Sequence, residues 1–411
     1  MKTRRAAFGA LAFLAFPTLA HADRDGEGLS DMRRARDGKK AGETKAPKVE
    51  PSDPSAPKPE PKSPWEIGVY GYVRAGYENV QKDARYNFVG QNNGFRLDAA
   101  LVGIEGGNTD YLVKFRIAAE GASQVQQGIN TPLGYLDFRV RDAFLRYDPF
   151  AFLGIQLGQF KAAFAEEELR GTQDMLFASR AVGQEGVLVG RGFQQAGVAL
   201  DRQLGVMLSP AKPIKLGGEL HLSYYATLMN GNGSNQMLDD NSRLGVIGRL
   251  EVSYGSYVRL GGGVVYNPRT VGTPPNFYDE NDLGLSADAV VKFKGLEAMG
   301  QFVQVKTTFP TVGSSAQTKQ AYHAQLGYTF EAPYVHVTPA YRYAHYHPWA
   351  GTGAAAGLDY GAFKVDYHTV GVRFRGEKLP LSLWLNYTFT VEPAARSLDN
   401  NRFEAMAQIV F

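Results

Sequence analysis

The stretch LSLWLNYTFTV (Leu381–Val391) alternates between two kinds of side chain. Leucine, tyrosine, phenylalanine and valine occupy the odd positions, whereas serine, tryptophan, asparagine and threonine occupy the even ones. Successive side chains of a β-strand point to opposite faces, so the stretch predicts a strand with one apolar and one largely polar face. An apolar face toward lipid and a polar face toward water is typical of a transmembrane β-barrel.

The same alternation recurs from Trp65 to Phe411, in segments of about ten residues such as 111–120 and 219–228. We count about sixteen segments, an even number that leaves both ends of the barrel on the periplasmic side. The alternation slips between Val140 and Ala143, where we expect a β-bulge. The segment 403–411 predicts the closing strand, with Phe411 as part of the assembly signal.

Connections between segments alternate in length, as the short periplasmic turns and long external loops of bacterial barrels do. The predicted short turns are 107–110, 148–151, 254–256, 293–295, 331–333 and 376–380. The predicted long loops are 81–94, 121–134, the connection after Gly158, 230–242, 267–283, 306–318, 347–361 and 392–400. The sequence therefore predicts an all-β fold, a transmembrane antiparallel barrel.

The first 64 residues have a different composition. Residues 1–22 combine a basic start, an apolar run at 6–16 and an Ala-His-Ala cleavage site, which predicts a secretory signal peptide. Residues 23–64 are rich in charge and proline, which predicts a disordered periplasmic linker. The linker is either a plain tether or a contact with the cell wall. Residues 65–411 form the predicted barrel domain, in the outer membrane of a Gram-negative bacterium.

Composition argues against several classes of function. The chain has no cysteine, which argues against disulfides and thiolate metal sites. No G-x-S-x-G, H-E-x-x-H or P-loop motif is present, so we predict neither an enzyme nor a cofactor. His345 and His347 could bind a metal, but a chance pair at a loop edge explains them better. The formal net charge of +3 says nothing about partners. From the predicted barrel we expect outer-membrane lipid and small solutes as partners, not nucleic acid.

Basic side chains are expected on the inner face of the barrel. If the apolar face meets lipid, alternation directs these toward the lumen: Lys114, Arg116, Arg249, Arg259, Lys292, Arg342 and Arg373. Arg139, Arg141 and Arg146 join them subject to the slip. Guanidinium groups favour oxyanions, so such a lumen would prefer anions. Acidic residues share this face, at Asp98, Glu120, Glu219, Glu251, Asp288 and Glu404. The alternative to anion selectivity is that opposite charges pair with one another and only make the inner wall hydrophilic.

The connection after Gly158 is the longest, and it is apolar enough to pack. A loop of this length lying free outside would be costly and easily cleaved, so we expect it to fold into the lumen rather than form an external lid. Its candidates for the narrowest point are Lys161, Arg170, Arg180 and Arg191. Glu166, Glu167 and Glu168 would oppose anion selectivity if they point inward.

Several motifs resemble the phosphate-selective porin O and P family. They are GQFKAAFAEEEL (158–169), QDMLFASRA (173–181), GRGFQQAGVAL (190–200), LMNGNG (228–233), DDNSRLGVIGRL (239–250) and VTPAYRYAHYHP (337–348). The resemblance implies a sixteen-stranded homotrimeric channel with a basic, infolded third loop. It also implies that Lys161 lies near the constriction. The expected function is passive diffusion of small hydrophilic solutes, with a preference for anions such as phosphate. The alternative is a non-conducting structural barrel that its linker tethers to the cell wall.

Overall fold

The computed structural model describes residues 65–411, apart from 125–134, 274, 312–313 and 351–359. The signal peptide and the linker lie outside the described residues and stay predictions. Two helices of four residues each, α1 (Glu166–Leu169) and α2 (Val182–Glu185), lie within one loop. Among the described residues, no helix is long and apolar enough to span a membrane.

The same loop contains a separate two-stranded sheet, Gly186–Val187 with Gln195–Ala196. Most of the remaining described chain forms a closed antiparallel barrel of sixteen strands, as the alternation predicts. Its strands are β1 (Trp65–Val80), β2 (Gly94–Asn108), β3 (Val113–Gln124), β4 (Tyr135–Phe150), β5 (Leu153–Lys161), β6 (Arg202–Ser209 and Ile214–Gly217), β7 (Leu220–Met229), β8 (Gly245–Tyr254), β9 (Val258–Thr273), β10 (Asn276–Phe293), β11 (Leu296–Phe309), β12 (Ser314–Tyr328 and Phe330–Ala332), β13 (Val335–His347), β14 (Val365–Gly376), β15 (Leu381–Val391) and β16 (Arg402–Val410). Each strand pairs with the next along the chain.

The barrel closes where β16 pairs with β1, in a register that runs from Tyr72 opposite Val410 to Val80 opposite Arg402. Beyond the last paired strand residue, Phe411 and Gly71 exchange two backbone hydrogen bonds of 2.9 Å each. Closure satisfies the backbone groups that an open sheet edge would leave unpaired.

The two faces of β15 show how the alternation is used. Leu381 and Leu383 are exposed on the outer face, whereas Trp384, Asn386 and Thr388 are buried on the inner face. Exposed leucine, valine, isoleucine, phenylalanine and tyrosine side chains cover the outer surface in the same way around the barrel. The outer surface therefore suits lipid, and the inner face carries the polar groups.

The slip in β4 is a β-bulge, as predicted. Opposite β3, Ala143 pairs with Ile117 and Val140 pairs with Ala119. Two residues of β4, Arg141 and Asp142, therefore share the space opposite one residue of β3. A bulge re-aims side chains, and here both charged groups reach partners inside the barrel.

Two of the predicted long loops are mostly strand instead. Residues 267–283 belong largely to β9 and β10, and residues 306–318 largely to β11 and β12. The hairpins continue because their polar side chains pair across the strands. Arg269 lies 2.7 Å from Glu280 and 3.2 Å from Asp282, and Thr270 donates to Asp279 at 2.7 Å. Because these strand ends are polar, hydrophobicity does not show where the strand ends and the loop begins.

Candidate functional site: the barrel lumen and its third loop

The connection between β5 and β6, residues 162–201, lies inside the barrel and is called the third loop below. Phe164 and Phe177 are at most 1% exposed, which requires enclosure by the wall. The carbonyl oxygen of Phe164 accepts hydrogen bonds from Arg249 of β8 at 3.2 Å and from Ser286 of β10 at 2.5 Å. The infolded third loop predicted from its length and composition is thus confirmed.

Polar inner side chains of the wall hold the middle of the third loop by its backbone. Arg342 of β13 donates to the carbonyl of Ser179 at 2.9 Å. Arg373 of β14 and Trp384 of β15 both donate to the carbonyl of Met175 at 3.1 Å. Because these buried carbonyls have no helical or sheet partner, the wall residues supply the hydrogen bonds that burial demands.

An ion-pair cluster anchors the return half of the third loop to β1. Both oxygens of Glu78 accept hydrogen bonds of 2.8 Å from the guanidinium of Arg191, and Glu185 accepts a third at 3.1 Å. Burial opposes the charge on Arg191, but these carboxylates hold its pKa well above the usual value. Asn400 donates to the carbonyl of Arg191 at 2.9 Å, which adds an external loop to the cluster.

Glu166 of the third loop faces the wall instead of open water. It is buried, and its carboxylate lies 3.1 Å from Arg170, 3.8 Å from Arg249 of β8 and in contact with Arg259 of β9. Its negative charge is therefore paired with cations of the wall and of the loop.

Glu167 also faces the wall. It accepts a hydrogen bond from the backbone N–H of Ala181 at 2.9 Å and lies 3.7 Å from Arg342. Burial would raise its pKa, but the charges of His323 and Arg342 bring it below the usual value.

Glu168 is the acid of α1 that lacks such pairing. Burial, and then the nearby negative charge of Asp201, raise its pKa to about 8. Gln184 donates a long hydrogen bond of 3.5 Å to one of its oxygens. The side chain is therefore largely protonated at neutral pH and contributes little negative charge there.

Lys161, the motif lysine, is the last residue of β5 and is buried. Its ammonium donates hydrogen bonds to the carbonyls of Leu169 at 3.3 Å and Arg170 at 3.4 Å. These carbonyls end α1, where the helix leaves acceptors unpaired. The lysine thus fastens the start of the third loop to the wall.

The other two basic candidates of the third loop are also engaged. Arg170 is buried and lies 2.5 Å from Glu297 of β11. Arg180 is half-buried and donates to the carbonyls of Glu167 and Arg170. Arg170 therefore joins the loop to the wall, and Arg180 joins two parts of the loop to each other.

The third loop contacts inner side chains of every strand from β8 to β16. Exposed or partly exposed basic side chains lie on β3 and β4, the part of the wall called the open side of the lumen below. Arg139 shows this best, because it stands opposite Glu120 on the inner face and is nevertheless exposed. Lys114 and Arg141 are about a quarter exposed, at 28% and 25% of their side-chain surface. These three cations line the open side of the lumen.

Arg116 and Arg146 also lie on this inner wall but are buried. Arg116 lies 2.9 Å from Glu105 and between the rings of Tyr70 and Phe144. Arg146 lies 2.7 Å from Asp148. The structure therefore separates the predicted basic residues of this wall into a more exposed group and a buried group.

Our candidate set omits several inward arginines, among them Arg74 and Arg96. Arg74 lies 2.9 Å from Asp98, and Arg96 contacts Glu78. Both stand in alternating segments, so the same pattern that found Arg116 could have found them.

The histidine pair lies outside this site. His345 is on the outer face, with its Nδ1 atom 2.7 Å from Asp366 and its ring stacked on Tyr322. In the part of the chain that the structure describes, no group of three or more His, Cys, Asp or Glu side chains could hold a metal ion.

The fold and the infolded loop agree with a comparison against known families. The model of the family described as "Phosphate-selective porin O and P" matches residues 67–264, which include the third loop. The resemblance to this porin family is confirmed over that segment. No curated protein matches the chain by sequence.

Solved outer-membrane proteins share the architecture at low sequence identity. The anion-selective porin from Comamonas acidovorans superposes with a TM-score of 0.55 at 13% identity, covering 84% of this chain and 100% of its own. The outer membrane channel DcaP of Acinetobacter baumannii gives 0.52 at 16% identity, with 85% and 99% covered. The trimer form of OmpT of Vibrio cholerae gives 0.55 at 10% identity, with 84% and 99% covered. Family and fold together support an outer-membrane porin of a Gram-negative bacterium, a channel rather than an enzyme.

Proposed function

We propose that this porin is a passive channel for small hydrophilic solutes with a modest preference for anions, inorganic phosphate among them. The observation that carries the proposal is the exposure of Arg139, with Lys114 and Arg141 partly exposed, on the open side of the lumen. Glu166 and Glu167, which would oppose anions, are buried in contact with wall arginines.

We expect the preference to be modest because acids share the open side. Arg141 lies 3.4 Å from Glu120 and 3.6 Å from Asp201, and Lys114 lies 2.9 Å from Asp148. One unit charge 4 Å from a passing ion changes its energy by about 1 kcal/mol in a water-like medium. A few partly neutralised cations therefore favour anions several-fold rather than exclude cations.

The lumen residues proposed to act on solutes are those of the open side, and the buried candidates are proposed to hold the third loop. Lys161, Arg170 and Arg180 fasten the loop, while Arg116 and Arg146 belong to paired clusters of the wall. Their charges act on a permeating anion only through the field they add to the lumen.

We also propose a homotrimer, for which the trimer form of the structurally similar OmpT offers support by analogy of fold. The competing function is a non-conducting barrel whose residues 23–64 tie the envelope to the cell wall. Single-channel recording separates the two, because only the porin conducts.

The recording should use the purified full-length mature chain and a variant lacking residues 23–64. We expect stepwise conductance in both, and partial block of chloride current when inorganic phosphate is added. A correctly folded chain without conductance would overturn the channel and favour the structural barrel. Conductance lost only in the truncated variant would show that the linker contributes to the pore.

A further inference from the structure

Four connections of the chain meet at the long-loop end of the barrel. They are the β1–β2 connection (81–93), the third loop, the described end of the β13–β14 connection (Tyr360–Phe363) and the β15–β16 connection (392–401). The backbone N–H of Gly90 donates to the carbonyl of Gly190 at 2.8 Å, which joins the first connection to the third loop. The backbone N–H of Gln81 donates to the carbonyl of Asn401 at 2.8 Å, which joins it to the last.

Aromatic rings fill the space between these connections. Phe193 of the third loop lies 5.6 Å from Phe88 and 5.3 Å from Tyr86 of the β1–β2 connection, measured between ring centroids. Phe363 is tied to the third loop by the side-chain amide of Gln195, which donates to its carbonyl at 3.4 Å. Phe193 and Phe363 are therefore each held in place by contacts of their own.

Arg396 of the β15–β16 connection lies between Phe193 and Phe363. Its guanidinium carbon is 4.1 Å from the ring centroid of Phe193 and 3.8 Å from that of Phe363, distances at which a guanidinium stacks on a ring. Within the described chain the two rings make no contact with each other, so they lie on opposite sides of the guanidinium. Since both faces are covered and the side chain is partly exposed, its edge of N–H donors is the part that can meet another molecule.

The donors of Arg396 have no partner among the described residues, where the guanidinium makes no hydrogen bond and no ion pair. Other arginines at this end of the barrel are paired with acids. Arg85 lies 2.7 Å from Asp83, and Arg243 lies 3.3 Å from Asp279. Partial burial lowers the pKa of Arg396 below its ordinary value, but an arginine stays charged at neutral pH. Arg396 therefore presents a fixed, unpaired positive charge.

Glu392 is the acid with the largest effect on the pKa of Arg396. Its carboxylate oxygens are engaged elsewhere, because they accept hydrogen bonds from the backbone N–H of Leu398 at 2.9 Å and from the side-chain amide of Asn400 at 3.5 Å. Burial also raises the pKa of Glu392. Glu392 thus lies near Arg396 without forming an ion pair with it.

We propose that Arg396 is a solute-binding residue at the external end of the channel and that it binds the carboxylate of small organic anions. The planar fork of a guanidinium fits a carboxylate through two parallel hydrogen bonds. A flat carboxylate stays in the plane between the rings. A tetrahedral phosphate directs oxygens out of that plane, toward aromatic faces that repel negative charge. The inference rests on the proposed function as a solute channel, to which it adds organic carboxylates as a class of solute.

The competing role of Arg396 is to brace the loops. A brace depends on the stacking of a cation on Phe193 and Phe363 and not on the N–H fork. Arg396→Lys keeps the positive charge and a cation over the rings but loses the fork. This substitution therefore separates carboxylate recognition from bracing and from simple attraction of charge.

Ligand-observed NMR on the detergent-solubilised full-length mature protein tests the proposal, with propionate as the probe. We expect saturable binding of propionate and none of propionamide, its neutral isostere. Arg396→Gln should weaken propionate binding about tenfold, because two charge-assisted hydrogen bonds are lost, and Arg396→Lys should resemble it. Phe363→Leu uncovers one face and should narrow the difference between propionate and inorganic phosphate. Lys82→Gln, which removes an exposed charge from the β1–β2 connection, is the matched control and should bind as wild type does.

Four results would overturn the proposal. The first two are binding like that of wild type in Arg396→Gln or in Arg396→Lys. The third is displacement of propionate by an equal concentration of inorganic phosphate. The fourth is loss of binding together with new proteolytic cleavage within residues 392–401 in both variants, which would assign Arg396 a bracing role.

Single-channel conductance of the same samples keeps this inference apart from the proposed function. A channel that conducts and prefers chloride to potassium, but does not bind propionate through Arg396, loses only the inference. A barrel that binds propionate and does not conduct loses the proposed function.

Discussion

The ammonium of Lys161 donates a hydrogen bond of 3.3 Å to the carbonyl of Leu169, which joins the last residue of β5 to the last residue of α1. The lysine of the family motif is thereby placed under the third loop, away from open water. We propose that some basic residues of the lumen hold the third loop and that others meet the solute.

Lys161→Met should loosen the third loop. Losing hydrogen bonds from a charged donor to two buried carbonyls costs about 1.5–3 kcal/mol of local stability. We expect noisier single-channel current and faster proteolysis between residues 162 and 201. Lys215→Met, at an exposed position near the short-turn end, is the control and should leave both unchanged. A quiet, protease-resistant Lys161→Met channel would contradict the fastening role.

The stability of the third loop should fall as the pH rises. The pKa of Glu168 is about 8 in the folded protein, against an ordinary value of 4.5, so the folded state holds a proton that the opened loop releases between these values. The contribution of Glu168 is complete below about pH 4.5 and is lost as the pH passes about 8. Amide exchange of residues 165–185, corrected for intrinsic rates, should show this trend in wild type and not in Glu168→Gln. An identical trend in both would refute it.

Removing Phe411 should impair barrel closure more than trimming its ring does. Deletion abolishes both backbone hydrogen bonds with Gly71, whereas Phe411→Ala keeps the backbone and loses only the ring. We expect the deletion to give the lowest level of heat-modifiable protein in the outer-membrane fraction, with Phe411→Ala intermediate. Equal and normal levels of all three proteins would show that this closure does not limit assembly.

Arg139→Gln should reduce anion preference. The reduction should be larger than for a substitution of a buried lumen arginine, provided that substitution leaves the third loop in place. The side chain is exposed on the inner face, so its charge acts directly on passing ions. We expect the ratio of chloride to potassium permeability to fall about twofold or more, consistent with a loss of up to about 1 kcal/mol in a water-like medium. Lys306→Gln, which removes an exposed charge from the outer face of β11, is the control. The direct role of Arg139 would be contradicted if Lys161→Met lowered the permeability ratio more than Arg139→Gln did, with current noise unchanged. Lys161 would then be the main determinant of anion preference.

Much of the fold could be predicted because period-2 alternation records which face of a strand meets lipid. The bulge at Arg141 and Asp142 was visible as a slip in that pattern. The extended hairpins β9–β10 and β11–β12 were not, because they continue as strands of polar residues that resemble loop sequence. Pairs such as Arg269 with Glu280 hold them together.

The candidate site was predictable only in part. Alternation directs arginines inward but does not show which acids they meet. Glu166 and Arg259 are 93 residues apart in sequence, and only the path of the third loop brings them together. The difference between an exposed cation such as Arg139 and a covered one such as Lys161 depends on that path.

The zero-current potential of the wild-type channel across a KCl gradient tests the central claim most directly. Purified full-length mature protein is inserted into a planar bilayer with concentrated salt on one side and dilute salt on the other. Anion preference predicts that the dilute side becomes negative, because chloride crosses faster than potassium. A dilute side that becomes positive, or a potential of zero, would contradict an anion-preferring lumen.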